Sequence, residues 1–273
     1  MPSLSRQHQE LSMLRQLFKF AARKRYIDKR DLPEITSEPV RNNEGAGLSE
    51  KEFQHLLDVS YDRITQEKIN PKTFRDRTML DAFMRIAAST GMRPTELYNM
   101  KWGDLDGFNF DVASRASISQ RSHDKQETED LDKSLAVENT ITIHARGKGK
   151  HKHLVPGDKA TRWLYSLLER WYSEFDTIPN DDDPVFFNQQ GEPIKSFKIG
   201  LASLFDAAGL LHDQQNRRRT AYCFRHYYIT QAILANEVPL YVIAINVGTG
   251  VDQIERTYSH VQPHMFSKEL RNR

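Results

Sequence analysis

The spacing of hydrophobic residues predicts a protein built mainly from helices. In "LSMLRQLFKFAAR", Leu14, Leu17 and Phe18 recur every three or four residues, which is typical of one face of an α-helix. A capping-box pattern, Ser49 with Glu52, opens the next predicted helix. The same periodicity predicts helices at about 49–66, 72–90, 94–100, 158–174, 194–208, 222–235, 239–246 and 251–260.

One segment has the alternation of a strand pair. "ENTITIHARGKGKHKHLVP" alternates Ile141 and Ile143 with polar residues, passes through a Gly-Lys-Gly-Lys turn, and ends a second short run at Val155. This pattern predicts a β-hairpin. The expected fold class is therefore α+β, mainly α-helical, with a small antiparallel sheet.

The chain divides near residue 44. The polar, proline-containing stretch "YIDKRDLPEITSEPVRNNEGAG" predicts a linker. The helix before it cannot bury its own apolar face, so we expect residues 1–44 to be the remnant of another domain with its linker, and residues 45–273 to form the main domain. A charged, glycine-free insert at 111–138 is predicted to be an exposed, mobile excursion.

Composition narrows the class of protein. Lys and Arg number 39 against 37 Asp and Glu, a formal net charge of +2, so any surface that binds nucleic acid must be local. The single cysteine, Cys223, excludes an intramolecular disulfide and fits a cytoplasmic location. No apolar run approaches the roughly 20 residues of a membrane span.

Two short motifs place cations at element boundaries. In "STGMRPTEL", Arg93 lies at a tight junction between two helices, where Glu96 can orient its guanidinium. Taken alone, Arg93 is more simply a surface arginine at a helix end. Lys148 lies between two glycines at the predicted hairpin tip. It is either a mobile proton donor or simply a turn lysine that favours solubility.

Two later motifs add an arginine and a tyrosine. In "NRRRTAYCFRHYYIT", Arg225 lies on an apolar helix, and a buried arginine needs an anion from an acidic residue or a ligand phosphate. In "VGTGVDQIERTYSHV", Tyr258 is either a packing residue or a nucleophile. Two arginines, a lysine and a tyrosine together suit attack on a phosphodiester.

A metal site is not predicted. His144, His151 and His153 lie close in sequence, but no carboxylate or cysteine accompanies them at the spacing of metal ligands. The "NDDDP" segment at 180–184 is predicted to be a polar turn.

Four motifs, "TGMRPTEL", "GKGKHKHLVP", "YCFRHYYIT" and "VGTGVDQIERTYSHV", resemble in order those of the tyrosine recombinase (phage integrase) family, over roughly residues 46–265. The resemblance implies the catalytic-domain fold of that family, with 1–44 as the end of a core-binding domain. It also implies a site-specific recombinase or integrase that cleaves and rejoins DNA through a covalent 3′-phosphotyrosine, without metal or other cofactor.

The resemblance also implies residue roles. Arg93 matches the first catalytic arginine, Lys148 the general acid toward the 5′-oxygen, Arg225 the second arginine and Tyr258 the nucleophile. Tyr222 and Thr249 occupy catalytic positions where the family usually has His, and His or Trp, respectively. Supporting positions fall on Glu96 and His226.

The implied partner is a double-stranded DNA attachment site, bound by a homotetramer assembled from monomers, with DNA-bending accessory proteins as further candidates. The expected setting is a phage or another mobile genetic element in a bacterial cytoplasm. Expected contacts to the DNA backbone are Lys150, Lys152, Arg217, Arg218 and Arg219.

Two other functions stay open at this point. One is a DNA-binding protein on the same fold with weak or no cleavage, in which the arginines only grip phosphate. The other is a site-nonspecific activity like that of type IB topoisomerases.

Overall fold

The computed structural model describes residues 4–36, 46–108, 110, 141–147 and 150–258 of the 273-residue chain. The chain splits into two compact units, Met1–Glu44 and Gly45–Arg273. In the first unit, helix α1 (Leu4–Arg23) leads into a 3₁₀ turn at Lys29–Asp31. Helix α1 begins well before the predicted Leu11, because residues 5–10 are all polar and show no hydrophobic periodicity. The predicted insert at 111–138 lies outside the described residues.

The second unit contains a series of helices whose bounds mostly follow the sequence periodicity. These are α2 (Glu50–Ile64), α3 (Pro71–Thr90), α4 (Pro94–Tyr98), α5 (Asp158–Phe175), α6 (Lys198–Ala207), α7 (Tyr222–Ala235), α8 (Leu240–Val247) and α9 (Val251–Thr257).

Side-chain caps define where α2 and α3 begin. Ser49 and Glu52 form the predicted capping box of α2, and the Asn70 side chain accepts from the Thr73 N–H at the start of α3. Helix α3 then packs chiefly against α5 and α7. Its side chains Met79, Phe83, Met84 and Ile86 are fully buried.

The predicted hairpin is present and gains a third strand. Strands β1 (Leu105–Asp106), β2 (Thr142–Gly147) and β3 (Lys150–Leu154) form an antiparallel sheet in the order β1-β2-β3. The two-residue β1 was not predicted, because so short a segment shows no alternation. Ile143 pairs with Leu154, and Ala145 pairs with Lys152. Directly paired residues share a face of the sheet, so Lys152 lies on the buried face.

Two helix boundaries in this unit differ from the predictions by three residues or more. Helix α6 begins at Lys198 rather than near 194, because Phe187 and Pro193 form a bridge that keeps the preceding segment extended. Helix α9 ends at Thr257, so Tyr258 is its C-cap and not an interior residue. Tyr258 belongs to a small apolar cluster formed by α7, α8 and α9, with Ile229, Ile243, Ala244, Val247 and Ile254.

Among the helices of the described segments, none combines the length and the apolar character needed to cross a membrane.

Candidate active site

Arg93 is clamped at the junction between α3 and α4. Gly91 ends α3 in the left-handed region, with φ of 62°, and Arg93 then serves as the N-cap of α4. The Arg93 backbone N–H donates to Glu96 Oε2 at 2.8 Å, and its Nη1 donates to Glu96 Oε1 at 2.8 Å. Its Nη2 donates to the carbonyl of Gly248 at 2.6 Å. The guanidinium is therefore held by Glu96 on one side and by the end of α8 on the other.

Lys152 reaches the same carboxylate from the sheet. Its Nζ lies 2.9 Å from Glu96 Oε2 and donates to the Val247 carbonyl at 3.0 Å, with only 13% of the side chain exposed. Burial lowers the pKa of Lys152; the ion pair with Glu96 opposes that change, and the charges of Arg225 and Arg93 reinforce it. Lys152 is thus an internal cation of this site.

Arg225 is the most deeply placed of the cations. Its exposure is 7%, and its Nη1 donates to the carbonyls of Gly91 at 2.7 Å and Val247 at 2.8 Å. Burial lowers its pKa, and the neighbouring charge of Arg93 lowers it further. These carbonyls lie at the C-terminal ends of α3 and α8, where the helix dipole favours positive charge.

The cations outnumber the carboxylates around this point. Burial would raise the pKa of Glu96, but hydrogen bonds from Lys152 and from the Arg93 backbone keep it below its ordinary value, so Glu96 is ionised. Within the described residues, that one carboxylate faces three cations: Arg93, Lys152 and Arg225. The surplus positive charge suits a phosphate.

Tyr258 lies beside this cluster, with its phenol turned inward. Its backbone N–H donates to the Ile254 carbonyl at 2.8 Å, and the side chain is 7% exposed. The phenol oxygen is 2.9 Å from Nδ1 of His226. Burial raises the pKa of Tyr258, and the charge of Arg225 opposes that rise. Arg225 and Tyr258 are therefore close enough to interact electrostatically.

The other predicted catalytic residues are Tyr222, Thr249 and Lys148. Tyr222 begins α7 with 46% of its surface exposed, and its phenol is also within electrostatic range of Arg225. Thr249 follows the α8 cap and donates its backbone N–H to Ala244 at 2.9 Å. The predicted Lys148 lies outside the described residues.

The predicted DNA contacts fall into different environments. Arg218 is exposed, whereas Arg217 is half-buried and pairs with Asp213 at 2.6 Å. Arg219 is buried: its guanidinium donates to Glu52 at 2.6 Å and to the carbonyls of Gly47, Leu210 and His212. The expectation of a DNA contact from Arg219 is thus corrected, because its donors are used inside the protein.

Lys152 is not on the outer surface, because its ammonium is directed into the site, and its predicted DNA contact stays a prediction. The alternation of β3 carried a signal for this placement. Lys152 is two residues from the apolar Leu154 and therefore on the same face of the strand. Lys150 begins that strand, and its predicted DNA contact stays a prediction.

Three other tyrosines lie on α7 and α8, near the site in sequence. Tyr227 is buried and donates to Glu50, and Tyr228 is half-buried against Asn246, with their oxygen and nitrogen 3.1 Å apart. Tyr241, by contrast, is 61% exposed on α8. Among the described residues, no group of three His, Cys, Asp or Glu side chains is arranged to hold a metal ion.

The chain matches the profile of a known protein family. The profile of the Phage integrase family matches residues 47–265. That range agrees with the one over which the four motifs resemble tyrosine recombinases. No curated protein sequence matches the chain.

Solved structures share the fold at low identity. The chain is 20% identical to XerH site-specific recombinase, bound to difH substrate in a pre-cleavage complex, with a TM-score of 0.56 over 97% of this chain and 64% of that one. The Tn1549 transposon integrase in complex with circular intermediate DNA is 14% identical, with a TM-score of 0.59 over 98% of this chain and 79% of that one. A lambda integrase dimer bound to a COC′ core site is 14% identical, with a TM-score of 0.51 over 91% and 57%. The predicted fold, a mainly helical tyrosine-recombinase catalytic domain with a small antiparallel sheet, is confirmed.

Proposed function

Because the chain belongs to the phage integrase family, we propose that it is a site-specific recombinase that cleaves and rejoins DNA through a covalent bond between Tyr258 and a 3′-phosphate. One observation carries this proposal: a buried tyrosine lies beside a cluster with surplus positive charge, built on two helix C-termini. A phosphodiester in that cluster would be both held and exposed to attack.

The proposed reaction uses the two arginines of the cluster and Tyr258. Within the described residues, the hydrogen bonds of Arg225 run from Nη1 alone, which leaves its other donors for a non-bridging phosphate oxygen. Arg93 and Arg225 stabilise the added charge of the pentacoordinate transition state. Tyr258 Oη attacks phosphorus, and the bond from phosphorus to the 5′-oxygen breaks.

The leaving 5′-oxygen needs a proton, and we assign that step to Lys148 on the strength of its motif. The phosphotyrosine conserves the energy of the broken bond, so rejoining needs no nucleotide cofactor. Reversal of the same steps, with a 5′-hydroxyl from another strand as nucleophile, completes strand exchange.

The proposed partner is double-stranded DNA. XerH was solved with its difH substrate, the Tn1549 integrase with circular intermediate DNA, and lambda integrase with a COC′ core site. This chain spans 64% of the XerH chain. We propose that 1–44 is the end of a core-binding domain, that monomers assemble into a tetramer on the attachment site, and that the protein acts in the cytoplasm.

A DNA-binding protein without cleavage is the second candidate. Tyr222 and Thr249 replace the usual histidines or tryptophan, and the Tyr258 phenol is buried rather than presented to solvent. In that case, the arginines would grip phosphate while Tyr258 served only in packing.

A trapped covalent intermediate separates the two candidates. Wild type, Tyr258→Phe and, as a matched control, Tyr241→Phe would each be incubated in EDTA with a nicked suicide duplex of the cognate junction. We expect a protein–DNA adduct on denaturing gels from wild type and Tyr241→Phe, and none from Tyr258→Phe. Tight binding without an adduct in any protein would support the binding-only function, and an adduct that persists in Tyr258→Phe would mean another nucleophile.

A further inference from the structure

Helix α7 presents two neighbouring side chains to two different parts of the reaction site. Arg225 is directed to the carbonyls of Gly91 and Val247, where the phosphate is proposed to bind. The next residue, His226, has its Nδ1 at 2.9 Å from Oη of Tyr258. Successive residues on a helix differ by about 100° in direction, so one turn can serve both the phosphate and its attacker.

The contact between His226 and Tyr258 is directed rather than a stacking of rings. Their ring centroids are 5.6 Å apart and the ring planes are inclined by 51°, while the nitrogen-to-oxygen distance is that of a good hydrogen bond. A neutral imidazole with its hydrogen on Nε2 has an acceptor lone pair on Nδ1 and can receive the phenol O–H.

The reaction requires a group that takes this proton. A neutral phenol is a weak nucleophile, and burial makes the loss of its proton harder because it raises the pKa of Tyr258. The two departures from the family pattern do not supply such a group. Tyr222 and Thr249 carry hydroxyl groups, which can donate hydrogen bonds but are not suited to take up a proton near neutral pH. Imidazole is the side chain suited to proton uptake in that range.

We propose that His226 is the general base of strand cleavage, accepting the Tyr258 proton on Nδ1; this inference rests on the proposed function. A lone pair of Oη forms the bond to phosphorus as the proton moves to Nδ1. The electrons of the breaking bond go to the 5′-oxygen, which takes a proton from Lys148, the proposed acid. In rejoining, the bond between Oη and phosphorus breaks and the imidazolium returns its proton to the tyrosine oxygen.

The bound DNA makes this proton transfer feasible. Proton transfer from Tyr258 to His226 would add a positive charge beside a site in which three cations already face one carboxylate. A phosphodiester adds one negative charge and the pentacoordinate transition state a second one. The base therefore gains its proton only when the substrate is in place.

The test uses His226→Asn in the full chain. The amide oxygen of asparagine can replace Nδ1 as a hydrogen-bond acceptor but cannot take up a proton. We expect the rate of adduct formation with the suicide duplex to fall by roughly 10²- to 10³-fold, with DNA affinity and melting temperature close to wild type. In His226→Ala, added imidazole is expected to restore part of the rate.

A substrate with sulfur in place of the bridging 5′-oxygen distinguishes a base from an acid, since a thiolate leaves without a proton. This substrate is expected to rescue Lys148→Ala but not His226→Asn. Rescue of His226→Asn, a rate within threefold of wild type, or faster cleavage by His226→Ala would overturn the inference while the proposed function stands. If wild type itself forms no adduct, the proposed function fails and takes the inference with it. Should His226→Asn unfold, His226→Gln in the same assays decides the matter.

Discussion

Glu96 shows how one residue can organise the site. Its Oε1 receives Arg93 and its Oε2 receives Lys152, so it joins the α3–α4 junction to the sheet. The Glu96 carboxylate offsets the charges of cations that would otherwise repel each other. Removal of this carboxylate charge therefore leaves buried positive charge unpaired. For Glu96→Gln, we expect the free energy of unfolding to fall by about 3 kcal/mol, as measured by urea denaturation at neutral pH.

A matched control is Glu192→Gln, which alters an exposed carboxylate that accepts from Asn188. It should change the free energy of unfolding by less than about 0.5 kcal/mol. Inorganic sulfate should stabilise Glu96→Gln more than wild type, since an anion can replace the lost carboxylate charge. Equal stabilisation by sulfate would count against an anion site here.

The Glu96 contribution should depend on pH in one direction. Its pKa is lowered in the folded protein, so the stabilisation is fully present above the unfolded value of about 4.3 and is lost as the pH falls through the lower folded value. The difference in unfolding free energy between wild type and Glu96→Gln is therefore expected to be constant from pH 7 to 5 and to shrink by pH 3. A difference of the same size at pH 3 would contradict this assignment.

At this scale, the motifs predict candidate residues, but they do not predict how those residues contact each other. Arg93, Arg225 and Tyr258 were recognisable from their motifs. The inward position of Lys152 depends on the β2–β3 register, in which it pairs with Ala145. The contact of His226 with Tyr258 depends on where α9 ends, and a helix predicted to reach 260 conceals it.

The site is assembled at the level of elements by two helix ends. Helices α3 and α8 each finish with a glycine in the left-handed region, Gly91 at φ of 62° and Gly248 at φ of 68°. This conformation stops each helix and leaves its last carbonyls available for the arginines and Lys152. A Cβ on Gly248 would also come within 2.8 Å of Cδ of Lys152.

Gly91→Ala tests how strictly this arrangement is required. The added Cβ would lie 2.4 Å from Cδ1 of Tyr228, in addition to the strain of positive φ. Gly209→Ala is the matched control, because its φ is also positive, at 65°, but a Cβ there meets nothing within 4 Å. We expect Gly209→Ala to cost about 1 kcal/mol of unfolding free energy and Gly91→Ala clearly more, by urea denaturation. Equal losses would mean that the Tyr228 contact relaxes freely.

The elements themselves were largely predictable. Caps such as Ser49 with Glu52, and Gly91, are local signals, and they fixed α2 and α3 to within two residues. Strand β1 could not be found, since its two residues are defined only by pairing with β2. The late start of α6 reflects the bridge between Phe187 and Pro193, a contact that periodicity does not contain.

For the whole molecule, a net charge of only +2 means that DNA affinity must come from where the basic residues lie. Three consecutive arginines illustrate this point. Arg218 is exposed, Arg217 is paired with Asp213, and Arg219 is bonded inside the protein. The sequence predicts the same DNA contact for all three arginines. Their environments differ because of the bridge between residues 212 and 218 and because of contacts with α2, which the sequence does not reveal.

The salt dependence of DNA binding should separate these arginines. If Arg218 contacts one phosphate, Arg218→Ala removes one counterion release, and the slope of log K against log salt becomes shallower by about 0.9. The melting temperature of Arg218→Ala should equal that of wild type, because no core contact is lost. Arg219→Ala instead leaves Glu52 without its buried partner and is expected to lower the melting temperature. Fluorescence anisotropy across a salt series, beside thermal denaturation, measures both effects. An unchanged slope for Arg218→Ala would mean that the DNA backbone does not contact this loop. The inner cations, Arg93, Lys152 and Arg225, would then supply most of the electrostatic affinity for DNA.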